Sequence, residues 1–231
     1  MHALKESVAI LKDWYDAQVF KRKERPYDIL RPGPHPRFFP TPNIYERDGN
    51  VVQFTYEQPL ESDPSCVNYL ARTVEVNPMN VVVKFVTRYG EDAHKAMAEK
   101  GFAPKLLYYG PINITPDMPS YGSLRMVVME YVDGKIAFGA PKLPLNFHQD
   151  LTMAIDYCHD QGFVFGDLRM PNVMIRKDSK VQLIDFDWAG SEGEVTYPVS
   201  ISSSIKWPEG VRGLELILKQ HDRDMLMACS K

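Results

Sequence analysis

Along residues 3–22, Leu4, Val8, Leu11, Tyr15 and Val19 recur at spacings of three and four, which predicts a helix with one apolar face. Lys21-Arg22-Lys23 close it, where cations suit the negative end of the helix dipole. Pro26, Pro32, Pro34, Pro36, Pro40 and Pro42 follow. Proline fixes φ and removes a donor, so 26–42 reads as an extended connector, neither helix nor central strand.

From residue 50 the pattern changes. Residues 51–56, 67–74 and 80–86 are rich in β-branched and aromatic side chains, with turn chemistry over 58–65 and an Asn77-Pro78 break. They predict an antiparallel meander. A helix over 90–100 follows and stops at Gly101, a residue suited to a left-handed cap. Strands at 105–109 and 124–129, separated by a proline-containing loop over 111–123, bring the sheet to about five strands.

The second half opens with a helix over 147–161. Phe147, Leu151, Ile155 and Cys158 form its apolar stripe, Asn146 with Gln149 reads as a capping box, and Gly162 ends it. Short strands at 173–175 and 181–184 come next. A sheet-rich part followed by a helical part is an α+β architecture.

Composition narrows the picture only a little. The 231 residues suit one large domain or two small lobes around a cleft. A formal charge of -3 exerts no global pull toward nucleic acid or an anionic membrane. No apolar run approaches the roughly 20 residues that span a bilayer. Met1-His2-Ala3-Leu4-Lys5-Glu6 puts charges where a secretory signal needs apolar residues. Cys66, Cys158 and Cys229 are odd in number and far apart, which fits a reducing compartment, cytosol or nucleus.

Chemistry concentrates in Gly166-Asp167-Leu168-Arg169-Met170-Pro171-Asn172 and, two short strands later, Ile184-Asp185-Phe186-Asp187. Phosphoryl transfer needs a carboxylate to position the attacking hydroxyl and oxygen ligands for magnesium on the phosphates. Asp167, Asn172 and Asp185 supply those groups from neighbouring turns. Lys84 lies in a run of valines on the third strand, where an ammonium demands a partner if it faces inward. Alternation equally permits it to face solvent, with Val81, Val83 and Phe85 on the other side.

In their order and spacing these segments resemble the protein-kinase superfamily, over about residues 50–228. The resemblance implies a two-lobe fold, with an antiparallel-sheet N-lobe over 43–132, a shortened helical C-lobe over 133–231, and residues 1–42 as an N-terminal helix and proline-rich arm. It implies ATP and Mg2+ as nucleotide and metal. Asp167 takes the base position, Asn172 and Asp185 the metal positions, and Lys84 the phosphate-binding position. Met129-Glu130-Tyr131-Val132-Asp133-Gly134 resembles the hinge, where backbone groups of Glu130 and Val132 meet adenine. The resemblance also implies a carboxylate partner for Lys84 from the helix at 90–100, Glu91 at its start, with Glu99 as the alternative. Trp207-Pro208-Glu209 resembles the end of an activation segment or is an ordinary turn. His221-Asp222 resembles the start of the helix whose aspartate holds the catalytic loop. The wording Phe186-Asp187-Trp188-Ala189-Gly190 is similar to a group of fungal kinase-like proteins.

Three departures stand out. No glycine occurs from 50 to 89, Phe165-Gly166 replaces the usual His-Arg, and Asp187 replaces a glycine. The chain also ends soon after Asp222, as a minimal kinase or a truncated one. The expected activity is ATP-dependent transfer to a protein hydroxyl, with a small-molecule hydroxyl as the alternative acceptor. The alternatives are a pseudokinase that binds nucleotide without turnover, and a scaffold in which the N-terminal helix and proline-rich arm engage a partner protein.

Overall fold

The computed structural model describes residues 40–61, 68–112 and 123–229, all within one compact unit, Pro34–Lys231. The expected helix over 3–22, most of the proline-rich arm, residues 62–65 of the expected turn and residues 113–122 of the expected loop lie outside the described residues.

Asp48 and Gly49 both take positive φ, 53° and 76°, which is the two-residue hairpin turn that matches strand twist. The turn joins β1 (Ile44–Arg47), absent from the sequence reading, to β2 (Asn50–Pro59) in register Arg47↔Asn50. Then come β3 (Asn68–Thr73), β4 (Asn80–Val86), helix α1 (Glu91–Glu99), β5 (Leu106–Pro111) and β6 (Arg125–Glu130). The sheet has six antiparallel strands in the order β1-β2-β3-β4-β6-β5, one more than expected. One face buries Tyr45, Val52, Phe54, Ala71, Val81, Val83, Phe85, Met126 and Val128.

Past the sheet, β7 (Gly134–Ile136), β9 (Val173–Arg176) and β10 (Val181–Leu183) form a small sheet in the order β10-β9-β7. A two-stranded pair joins β8 (Phe163–Val164) to β11 (Gly190–Ser191). Helices α2 (Phe147–Asp160) and α3 (Lys219–Ala228) complete the fold, which is α+β.

The expected stripe of α2 is fully buried at Phe147, Leu151, Ile155 and Cys158, joined by Ala154. It packs with Ala93 and Met97 of α1, Leu168, Phe186 and Met225. Each such large aliphatic or aromatic side chain contributes roughly 1.5–3 kcal/mol on burial. The expected Asn146 capping box does not form. Asn146 sits at φ -91°, ψ 7°, without the extended backbone that brings a cap side chain over the helix end, and its side chain makes no cap bond. Gly101 ends α1 as expected, at φ 84° with Phe102 N–H donating to Met97 C=O and Gly101 N–H to Ala98 C=O.

Candidate active site

Alternation along β4 sorts its residues onto two faces. Val81, Val83 and Phe85 enter the sheet core, while Val82 and Lys84 line a cavity of ≈ 260 Å³. Of the two placements open to Lys84 the structure takes the inward one, leaving the residue 3% exposed. Its Nζ donates to Asp185 Oδ1 at 2.8 Å and to Asp187 Oδ1, with the Tyr89 ring centroid 5.1 Å away. Burial acts to lower a lysine's pKa, but the charges of Asp185 and Asp187 outweigh it and the Lys84 pKa is raised.

Asp185 follows β10 at φ 70°, in the left-handed region, a conformation costing of order 1–3 kcal/mol in a non-glycine residue. The turn is held by Ile184 N–H donating to Asn172 C=O at 2.9 Å. Burial acts to raise Asp185, yet the Lys84 charge brings it below the ordinary carboxylate value. Asp187 is pushed up by burial to about 7, helped by the Asp185 charge beside it.

Phe186, between them, is fully buried. It stacks on His94 at 4.4 Å between centroids and meets Phe165 edge-on at 5.2 Å. Its carbonyl accepts the Gly90 N–H at 2.9 Å, which ties the start of α1 to this segment. His94 Nε2 lies 2.8 Å from Pro104 C=O, an acceptor only, so that nitrogen carries the proton. Nδ1 then accepts from the Tyr89 hydroxyl at 2.6 Å. Burial lowers the His94 pKa to about 4.

The loop after β8 turns at Gly166, φ 83°, where an added Cβ would lie 3.0 Å from Ile217 Cδ1 and 3.2 Å from Trp188 Cβ. Asp167 follows, 5% exposed. Arg169 forks onto its carboxylate, Nε to Oδ1 at 2.5 Å and Nη2 to Oδ2 at 2.6 Å, and lies over the Trp207 ring at 5.7 Å. The 3₁₀ turn Met170–Asn172 brings Asn172 back, so its Nδ2 donates to Asp167 Oδ2 at 2.8 Å and to Asp167 C=O at 2.9 Å. The nitrogen end of the amide is thereby engaged, and Oδ1 makes no hydrogen bond among the described residues.

Asp222 of α3, 1% exposed, holds this loop from behind. Its carboxylate accepts Phe165 N–H and Gly166 N–H, both at 2.8 Å, and His159 Nε2 at 3.0 Å.

Glu130 and Val132 line the same cavity as Lys84 and Asp185, with Val82, Met129, Met174 and Ile184. The Val132 N–H makes no hydrogen bond among the described residues. An apolar slot with a free backbone donor suits a flat, hydrogen-bonding ring. Asp185 and Asn172 offer the hard oxygens that magnesium takes. Among the described residues no three His, Cys, Asp or Glu side chains form a metal nest by themselves, so a cation here would draw further oxygens from elsewhere, such as phosphates.

The structure thus brings Lys84 to Asp185, Asp167 to Asn172, and Glu130 and Val132 to one cavity. The expected helical partner of Lys84 is corrected. Glu91 accepts from Lys95 Nζ at 2.6 Å, and Glu99 is exposed. The cause is the face that α1 presents: Ala93, His94 and Met97 are its buried residues. Four participants escaped the sequence reading: Arg169, the Asp187 carboxylate as a Lys84 partner, His94 and His159. For Arg169 the signal was a lone cation two residues from Asp167; for Asp187, a carboxylate where glycine was expected.

No protein-family model matches the chain. Serine/threonine-protein kinase PknB of Mycolicibacterium smegmatis is 27% identical over 143 residues, covering 56% of this chain and 22% of that kinase. Testis-specific serine/threonine-protein kinase 1 of Homo sapiens is 31% identical over 81 residues, 35% of this chain and 21% of the relative. Sperm motility kinase 2B of Mus musculus is 50% identical over 38 residues, 16% and 8% of the two chains. Over these stretches the chain is similar to protein kinases. Each match spans less than a quarter of the relative's length. Among the described residues no helix is long and apolar enough to cross a membrane.

Proposed function

We propose that this chain is an ATP- and magnesium-dependent phosphotransferase with a hydroxyl acceptor, working through residues 43–132 and 133–231 as two lobes of a kinase-like fold. The observation that carries this reading is a shared cavity: Lys84, salt-bridged to Asp185, lines it together with Glu130 and Val132, and Asn172 C=O is bonded to the residue next to Asp185.

In this reading Glu130 and Val132 meet adenine through backbone groups, and Lys84 steadies the α- and β-phosphates. Asp185 and Asn172 would hold magnesium, which when bound neutralises charge on the phosphates. Asp167 orients the acceptor hydroxyl and takes its proton as the oxygen attacks the γ-phosphorus, and the bond to the ADP oxygen breaks. Arg169, forked onto Asp167, keeps that carboxylate in place. The acceptor is a protein hydroxyl, in line with the names of the partial matches. The segment 1–42, expected from the sequence as a helix and proline-rich arm, engages a partner protein, and the chain works in a reducing compartment, cytosol or nucleus.

Turnover of labelled ATP against a mixed protein and metabolite panel, wild type beside Asp185→Ala, tests the reading. Transfer by wild type and its loss in the variant support it; equal turnover in both sinks it. One observation favours a second reading, a nucleotide-binding pseudokinase: both carboxylate oxygens of Asp167 are taken by Arg169. Magnesium-dependent stabilisation by ATP with no transfer to any acceptor would select it.

A further inference from the structure

A lysine that grips phosphates has to be aimed, and its aim comes from the carboxylate that shares its ammonium. Helix α1 does not provide that carboxylate here. Its buried residues are Ala93, His94 and Met97, and Glu91 is engaged with Lys95. The neutral pair Tyr89–His94 stands beside Lys84 instead, joined by its own hydrogen bond at 2.6 Å.

Asp187 reaches Lys84 from 103 positions along the chain. Its main chain is gripped in turn. Arg88, four residues after Lys84, donates from Nε to Asp187 C=O at 3.0 Å and from Nη1 to Thr196 C=O at 2.6 Å. The remaining Nη2 is buried with no hydrogen bond among the described residues, so the guanidinium tolerates a desolvation cost to hold those two carbonyls. Asp185, the other carboxylate on Lys84, is the one that would turn to a cation. Asp187 is then the partner left for the lysine.

We propose that Asp187 is the positioning residue of Lys84, aiming the ammonium at the phosphates of a bound nucleotide in place of a glutamate from α1, with Arg88 fixing the Asp187 main chain. This rests on the phosphotransferase reading. It assigns a role to the carboxylate that stands where glycine was expected. It also makes the aim of Lys84 independent of any glutamate on α1, so displacing such a glutamate is not a means of switching this site.

Two double-mutant cycles on thermal unfolding of the full chain test the clamp. One pairs Lys84→Met with Asp187→Asn, the other Lys84→Met with Glu91→Gln. The expected result is a Tm loss in the first pair smaller than the sum of its singles by about 2 °C or more, with the second pair additive. Additivity in the first cycle, or coupling in the second as large as in the first, overturns the proposal. A second measurement separates aim from mere structure. Asp187→Asn is expected to raise KM for Mg-ATP about tenfold, which loss of folded protein would not do, and Asp187→Glu to recover part of it. A wild-type KM in Asp187→Asn overturns the proposal while leaving the phosphotransferase reading standing. If the first cycle shows coupling but wild type is neither stabilised by Mg-ATP nor turns it over, both readings fall and a structural ion pair remains.

Discussion

The Asp222 carboxylate accepts the backbone N–H of Gly166 at 2.8 Å, although 56 positions separate the two residues. A second oxygen takes Phe165 N–H at the same distance. The loop that presents Asp167 is therefore hung on one buried side chain from α3.

Replacing that side chain strands two backbone donors and His159 Nε2 in the interior. Asp222→Ala is expected to lower unfolding free energy by about 3 kcal/mol or more, since a bond to a charged acceptor is worth about 1.5–3 kcal/mol and stranded donors add to the loss. Urea denaturation followed by far-UV circular dichroism measures it; a change under about 0.5 kcal/mol would contradict the arrangement.

Gly166 has both a positive φ and tight neighbours, Ile217 Cδ1 and Trp188 Cβ. Gly166→Ala is expected to destabilise by about 1–2 kcal/mol from backbone strain and crowding together. Equal midpoints for the variant and wild type in the same urea titration would remove the strain argument.

His94 is held neutral, its pKa lowered from 6.5 to about 4. Between those values the unfolded chain binds the proton more readily than the fold does. The associated stability is complete above pH 6.5 and is lost as pH falls toward 4. Two and a half units correspond to ~3 kcal/mol at most. His94→Gln removes this proton, so the difference in unfolding free energy between wild type and variant should shrink in wild type's disfavour from pH 7 to pH 4. A pH-independent difference would show that His94 titrates alike in both states.

On the phosphotransferase reading, Asp167→Asn keeps an oxygen for Asn172 Nδ2 and Arg169 Nη2 while removing the base and the acceptor of Arg169 Nε. Transfer is expected to fall by about 10²–10⁴, with the thermal stabilisation by Mg-ATP retained. Loss of nucleotide binding together with transfer would mean that Asp167 organises the site instead of serving as its base.

How much of this was written locally is clear from particular residues. The α2 stripe of Phe147, Leu151, Ile155 and Cys158 and the Gly101 cap were legible, because a helix period and a left-handed turn act through neighbours within a few positions. Asp48-Gly49 carried an equally local hairpin signal that went unread, and with it β1. The loop over 166–172 and the turn at 185 were legible as neighbours, because carboxylate, amide and carboxylate stand at short spacings, and the structure bonds Ile184 N–H to Asn172 C=O. The choice of a carboxylate for Lys84 was not local. Glu91 and Asp187 both offer the required charge, and the family resemblance pointed to the helix that follows the strand. Packing decided otherwise, since burying Ala93, His94 and Met97 turned α1's acids outward and a turn 103 residues away delivered Asp187 to the ammonium. Residue types settle which charges need partners; only the closed tertiary arrangement settles which partner arrives, because that depends on the faces that the core has already claimed.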